Sequence, residues 1–136
     1  MGTRVGVTGH RTMADEAGVA ARVAAVLDEL AAPLTAVSAL AEGADRLVAE
    51  QVLARSGGRL VALLPLPVDD YARDFTDDRS LRTFNELLAS ADEVTVAPHD
   101  PTDPSREAAY EHAGLALLDH VDVLLALWDG EASRGR

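Results

Sequence analysis

The sequence predicts an α/β protein: a single Rossmann-like, doubly wound, mainly parallel sheet of at least five strands with helices on both faces. Two observations predict it. Short apolar runs alternate five times with segments whose apolar residues recur at helical spacing. These runs carry few polar residues and are joined by short connections, which is typical of parallel strands covered by helices on both sides. Right-handed crossovers then give a doubly wound sheet, and residues 1–136 fit one domain.

The first strand and helix are bounded by a glycine and a proline. Arg4–Thr8 is an apolar, β-branched strand that stops at Gly9. Asp15–Ala31 carries apolar residues at helical spacing, and Pro33 marks the end of that helix.

The second unit follows the same order. Leu34–Leu40 is the second predicted strand, and Ala41–Gly43 leads from it into a helix that Ser56–Gly58 closes. Leu60–Leu64 is the third strand and is wholly apolar.

The segment Pro65–Asp78 is predicted to be a long loop or a partly helical excursion, with two prolines and five aspartates. The aspartate spacing matches no calcium loop, so we expect a solvated segment and no metal site. Tyr71 and Phe75 lie four residues apart and are expected to pack back onto the domain. Alternatively, Tyr71 flanks a bound base. A helix follows this segment.

The last strands enclose another loop. Glu93–Ala97 is the fourth strand, Pro98–Pro104 is a loop, and Ser105 is expected to cap a helix that ends near Asp119. Val121–Trp128 is the fifth strand and is apolar on both faces, yet no helix follows it in the sequence. We therefore expect either a longer chain or a second subunit to cover it, and we predict a homodimer.

The composition excludes several classes of function. The net charge is −11 and all 12 basic residues are arginine, so the protein's field opposes binding to a nucleic-acid backbone. There is no lysine for a P-loop and no cysteine for a disulfide, a thiolate metal site or a nucleophile. No apolar run reaches the ~20 residues of a membrane span. We expect a cytoplasmic protein that contacts neither nucleic acid nor membrane.

Ligands of doubly wound sheets bind beyond the carboxyl ends of the strands, where the strand order reverses. Three stretches are predicted to converge there: Thr8–Thr12, Glu42–Arg46 and Asp129–Arg136. The first offers a tight turn at Gly9 and unpaired amides at the start of a helix, which suit a phosphate. The candidate ligand-binding residues in this stretch are Thr8, Gly9, His10 and Arg11. The alternative is a plain turn with solvated side chains.

The second stretch, "AEGADR", repeats the arrangement of strand, glycine and helix. Gly43 and Ala44 offer backbone amides, while Glu42 and Asp45 can accept from ribose hydroxyls and Arg46 can meet a phosphate. The alternative is that Asp45 only favours the helix dipole and that Arg46 is exposed.

A third candidate lies in the first turn of the last helix. Glu107 there is explained by the helix dipole, whereas Arg106 is not, so Arg106 is the better ligand-binding candidate. His112 and His120 are expected on the surface. No serine sits on a nucleophile elbow, so a Ser-His-Asp triad is not predicted.

The ordered motifs "VGVTGHR", "SALAEGADRLVAE", "LPLP…DDY" and "SREAAYEHAG…LLDHVDVLLALWDG" cover essentially the whole chain. Through these motifs and their order, the chain resembles the SLOG superfamily. This is the Rossmann-like group that includes DprA, the LOG phosphoribohydrolases and sensor domains fused to effectors. The resemblance implies a crevice that binds nucleotides or nucleotide-derived ligands such as NAD or ADP-ribose relatives. It would place Gly9–Arg11 and Gly43–Asp45 on the ligand, with Asp129 and Gly130 beginning the loop after the fifth strand.

In the enzymatic branch of that superfamily, a glycine-rich segment follows this loop and leads to a glutamate that helps cleave an N-glycosidic bond. The given sequence reaches Arg136 where that segment would begin, so the resemblance does not decide between an enzyme and a binding protein.

Three functions follow from these observations. The first is a binding or sensing module for a nucleotide or nucleotide-derived small molecule, with a bound nucleotide or ADP-ribose-type ligand as its only expected cofactor. The second is an N-glycosidic hydrolase or transferase acting on a nucleotide, for which Glu42 is the candidate catalytic carboxylate. The third is a partner-binding domain with a vestigial pocket.

Overall fold

A five-stranded, all-parallel sheet forms the centre of the computed structural model, which describes residues 2–9, 15–98, 102–103 and 105–127. The predicted fold class is confirmed. The strands lie in the spatial order β4-β3-β2-β1-β5. Their bounds are β1 Thr3–Gly9, β2 Leu34–Ser38, β3 Arg59–Leu64, β4 Glu93–Val96 and β5 Val123–Leu127.

The helices of the described residues fall where the sequence predicted them, including a partly helical excursion after the third strand. The excursion after β3 contains a single five-residue helix. Ser105 is the N-cap of the last helix, as expected: its side chain accepts a hydrogen bond of 3.1 Å from the Ala108 amide. The helices are α1 Glu16–Asp28, α2 Ala44–Leu53, α3 Val68–Ala72, α4 Asp78–Ser90 and α5 Arg106–Asp119.

The two faces of the sheet are covered unequally. The main core joins one face to α1, α2 and α4, with Val23, Val48 and Phe84 among its buried side chains. The other face has a smaller core, in which Ala113 of α5 packs against Val37 and other residues of β2 and β3. The strand order explains this, because β1 to β4 advance in one direction and right-handed crossovers keep their helices on one face. Among the described elements, only the return to β5 crosses the other face.

The C-terminal end of α5 rests directly on β1. A Cβ on Gly6 would lie 2.9 Å from Cγ1 of Val121 and 3.2 Å from Cγ of Leu117, so a bare backbone is needed there. Leu124 pairs with Gly6 across the strands and stays 41% exposed. Between β1, β5 and α5 this face of the sheet is therefore partly open.

Candidate functional site

A cavity of about 490 Å³ lies at the carboxyl ends of the strands, between the sheet and α5. We call it the strand-end cavity. It adjoins β1, where the strand order reverses, and its volume is in the range of small-molecule sites. The residues that line it include Thr8, Gly9, Ala39, Glu42, Asp45, Tyr71, Tyr110, Ala113, Gly114, Leu117, Leu118 and Leu124.

The end of β1 supplies Thr8 and Gly9 to the cavity wall, as predicted. Thr8 is exposed. A Cβ on Gly9 would lie 2.5 Å from the Leu127 carbonyl oxygen and 3.0 Å from Cβ of Ala44, so Gly9 lets β5 and α2 approach closely. The other predicted residues of this turn, His10 and Arg11, lie outside the described residues, as do Asp129 and Gly130.

The loop from β2 to α2 has a fixed, unusual backbone shape. Leu40 and Gly43 have positive φ angles of 59° and 84°. Leu40 is fully buried, and its amide donates to Oγ of Ser38 at 3.0 Å. The Ala41 amide donates to Oδ2 of Asp45 at 3.1 Å. A left-handed leucine is costly and persists only where its surroundings hold it, a condition found most often at functional sites.

Glu42 lies at the mouth of the cavity and is held by α4. Its Oε2 accepts a hydrogen bond from Oγ of Ser80. Nη1 of Arg46 approaches the same Ser80 hydroxyl oxygen at 3.0 Å and donates to it. The carboxylate of Glu42 is therefore positioned by a chain of hydrogen bonds that starts inside the domain.

The expectation of an exposed Arg46 is wrong, because this side chain is only 8% exposed. Its Nε donates to the Leu40 carbonyl and its Nη1 to the Ser80 carbonyl, each at 3.0 Å. The guanidinium also lies 4.6 Å from the ring centroid of Phe75. The first turn of α2 directs Arg46 toward α4, and Arg46 is not among the residues that line the strand-end cavity.

Gly43 and Ala44 also differ from the arrangement predicted for them. Ala44 is buried beside Gly9, while Gly43 and Arg46 border a second cavity of about 400 Å³ on the other side of the loop. Glu50 shares that second cavity, where partial burial raises the pKa of its carboxyl group and the neighbouring Arg46 opposes the rise. Three residues of the "AEGADR" stretch line the strand-end cavity: Ala41, Glu42 and Asp45.

Arg106 joins α5 to α3 and is not part of the cavity wall. Its Nη1 lies 2.8 Å from Oδ1 of Asp70 and its Nη2 lies 2.6 Å from Oδ1 of Asp74. Hydrogen bonds to Asp70 and Asp74 raise the pKa of the guanidinium above its already high usual value. The ion pairs are partly exposed, so they contribute little to stability, but they occupy the group that was predicted to bind a ligand.

Helix α5 contributes residues to the cavity wall that were not among the predicted ligand-binding residues. Tyr110, Gly114 and Leu118 follow one another at intervals of four on the same side of α5. Tyr71 is 3% exposed and packs against Phe75 and Phe84, which confirms the predicted packing of the aspartate-rich segment. Tyr71 also borders the cavity, so the two alternatives for this residue are compatible.

The described residues contain no group of three or more His, Cys, Asp or Glu side chains that could hold a metal ion. Within the same part of the chain, no helix is long and apolar enough to cross a membrane. No protein-family model matches the sequence, and the curated proteins include no significant match to it.

Proposed function

We propose that the strand-end cavity binds a nucleotide or nucleotide-derived small molecule, such as ADP-ribose or NAD, and that the chain is a binding or sensing module. One observation carries the proposal. The cavity lies at the switch in strand order, and its wall combines Thr8, Glu42 and Asp45, which we call its polar end, with apolar residues of α5. A polar end beside an apolar wall suits a ligand that joins a sugar to a flat ring.

The polar end offers acceptors to a ribose. The carboxylates of Glu42 and Asp45 border the cavity and accept hydrogen bonds from hydroxyl groups. The Thr8 hydroxyl can donate as well as accept. The resemblance to the SLOG superfamily supports the same ligand class, and the sequence adds Arg11 immediately beyond β1 as the predicted phosphate contact.

A thermal-shift panel of AMP, ADP-ribose, NAD and cyclic nucleotides tests the ligand class. A ligand at about a hundred times its Kd adds roughly 2.7 kcal/mol to the free energy of unfolding. For a domain of this size that raises Tm by several degrees. If every compound leaves Tm unchanged, the proposal is wrong.

Glu42→Gln tests the ribose contact directly. The amide keeps the shape of the side chain and an acceptor for Ser80 but removes the charge, so affinity for the ribonucleotide hit should fall about tenfold or more. Calorimetry measures this, with Glu111→Gln as the control, because Glu111 is exposed on α5 away from the cavity. Equal losses in the two variants would remove Glu42 from the site.

The second candidate is cleavage of the N-glycosidic bond of the bound nucleotide. The observation that favours it is the presence of two carboxylates, Glu42 and Asp45, in the wall of one cavity. Release of free base from AMP would show turnover, and Glu42→Gln should then abolish it while retaining measurable AMP binding. A wild-type protein that binds AMP without releasing adenine is a binding module only.

We also propose that the chain forms a homodimer through the outer side of α5. Leu115 is 65% exposed there, and Leu118, which is 52% exposed and also borders the strand-end cavity, lies between that side and the cavity side of the helix. Large apolar side chains that share one helix surface mark a protein contact more often than a solvated face.

A further inference from the structure

Gly114 occupies the middle of α5, where glycine is less favourable than alanine. Other glycines near the sheet have a packing reason: a Cβ on Gly6 or Gly9 would collide with neighbouring atoms. A Cβ on Gly114 would meet no atom of the described residues within 4 Å. Packing within this part of the chain therefore does not require a glycine at position 114.

Gly114 does face the strand-end cavity. Tyr110 borders it one helical turn earlier and Leu118 one turn later, and Leu124 of β5 adjoins the same space. Tyr110 is 40% exposed and its ring stands edge-on to Tyr71, with 6.0 Å between the centroids. At Gly114 the cavity thus extends to the bare backbone of the helix, between two larger side chains.

We propose that Gly114 keeps open a slot for the planar ring of the ligand, the nucleobase, which lies against the α5 backbone between Tyr110 and Leu118. The inference rests on the proposed nucleotide function and assigns the two ends of the cavity: sugar and phosphate near Thr8 and Glu42, ring at Gly114. A flat ring that lies against the helix backbone buries one of its faces there and gains further stabilisation where it meets the edge or face of a tyrosine.

The cavity size favours a small molecule over a protein segment as the occupant of the slot. Its volume of about 490 Å³ is typical of small-molecule sites, and its wall also contains the polar residues Thr8, Glu42 and Asp45, which an apolar helix would not match. A second copy of the chain is the competing occupant.

Gly114→Leu tests the slot. The side chain has open space at its Cβ and leucine favours helix, so the variant should fold, which circular dichroism checks. Gly114→Ala adds one methyl group and therefore fills less of the slot than leucine does. Glu111→Leu is the matched control, because it adds the same side chain on the same helix away from the cavity. Glu111→Leu also removes a negative charge. That change would tighten the binding of an anion such as AMP, whereas Gly114→Leu is expected to weaken it.

Calorimetry with AMP and with ribose 5-phosphate separates the ring from the sugar. Wild-type protein should bind AMP about tenfold more tightly than ribose 5-phosphate, or better, since one stacked base contributes that much. Gly114→Leu should lower the affinity for AMP to that for ribose 5-phosphate and leave ribose 5-phosphate binding unchanged. The AMP affinity of Gly114→Ala should lie between those of Gly114→Leu and the wild type.

Undiminished AMP binding by Gly114→Leu would overturn the slot while leaving the proposed function intact. If wild-type protein binds neither probe and no compound of the thermal-shift panel, the proposed function fails and the slot fails with it. A lower mass for Gly114→Leu in sedimentation, with AMP affinity unchanged, would assign the space to a second copy of the chain and also overturn the inference.

Discussion

Arg46 and Ser80 connect the mouth of the strand-end cavity to the interior of the domain. The guanidinium donates to the carbonyl groups of Leu40 and Ser80 and to the Ser80 hydroxyl, which in turn holds Glu42. When a buried carbonyl group loses its hydrogen-bond donor, the free energy of unfolding falls. These contacts therefore stabilise the fold as well as the site.

Arg46→Met should lower the free energy of unfolding by about 2–4 kcal/mol, because it leaves two buried carbonyl groups without their charged donor. Methionine keeps most of the length and the apolar stem. Urea denaturation measures the loss, and Arg79→Met is the control, since Arg79 is exposed on α4 and should change stability by less than about 0.5 kcal/mol. Equal stabilities for the two variants would contradict the structural role of Arg46.

At the residue scale the sequence predicts which backbone turns form but not which polar side chains are buried. Thr8, Gly9, Glu42 and Asp45 could be assigned to one cavity because parallel strands end at a common edge. The burial of Arg46 could not, because its partner Ser80 lies 34 residues away in another helix. A local sequence pattern cannot predict a contact between residues so far apart in the chain.

Helix α5 has apolar residues on its inner and outer sides. Ala113 is buried against the sheet, Gly114 faces the cavity, and Leu115 is 65% exposed on the outer side. An exposed leucine in the middle of that side is the reason that the outer side of α5 is the proposed dimer contact.

Leu115→Glu should convert the proposed dimer to a monomer, because it places a charge in the centre of an apolar contact. Analytical ultracentrifugation measures the mass. Leu115 lies outside the cavity wall, so AMP affinity should be retained. A wild-type protein that is monomeric at every concentration tested would contradict the dimer.

Helix and strand ends could be predicted where a glycine, a proline or a cap fixes them, as at Ser105. The end of α1 was predicted too late. The helix stops at Asp28 because the following segment must bring β2 alongside β1, and Thr3 bonds to the carbonyl oxygens of Ala31 and Pro33 there. That requirement comes from strand pairing and not from local periodicity.

For the whole molecule, alternation of strands and helices was enough to predict a parallel, doubly wound sheet. It did not predict how unequally the two faces are covered, because that depends on the strand order. The apolar half of the cavity follows from the same order, since among the described helices only α5 crosses that face. The walls contributed by Tyr110, Gly114 and Leu118 were therefore not among the predicted ligand-binding residues.

The central claim is that a nucleotide binds at the carboxyl ends of the strands beside α5. Backbone amide chemical shifts of ¹⁵N-labelled protein, titrated with AMP and with ADP-ribose, test it most directly. The largest shift changes should occur at Gly9, Glu42 and Gly114, which border the cavity. Gly57 and Gly58, which precede β3 at the opposite end of the sheet, should not move. Shift changes that leave Gly9, Glu42 and Gly114 unaffected, or no change with either compound, would contradict the claim.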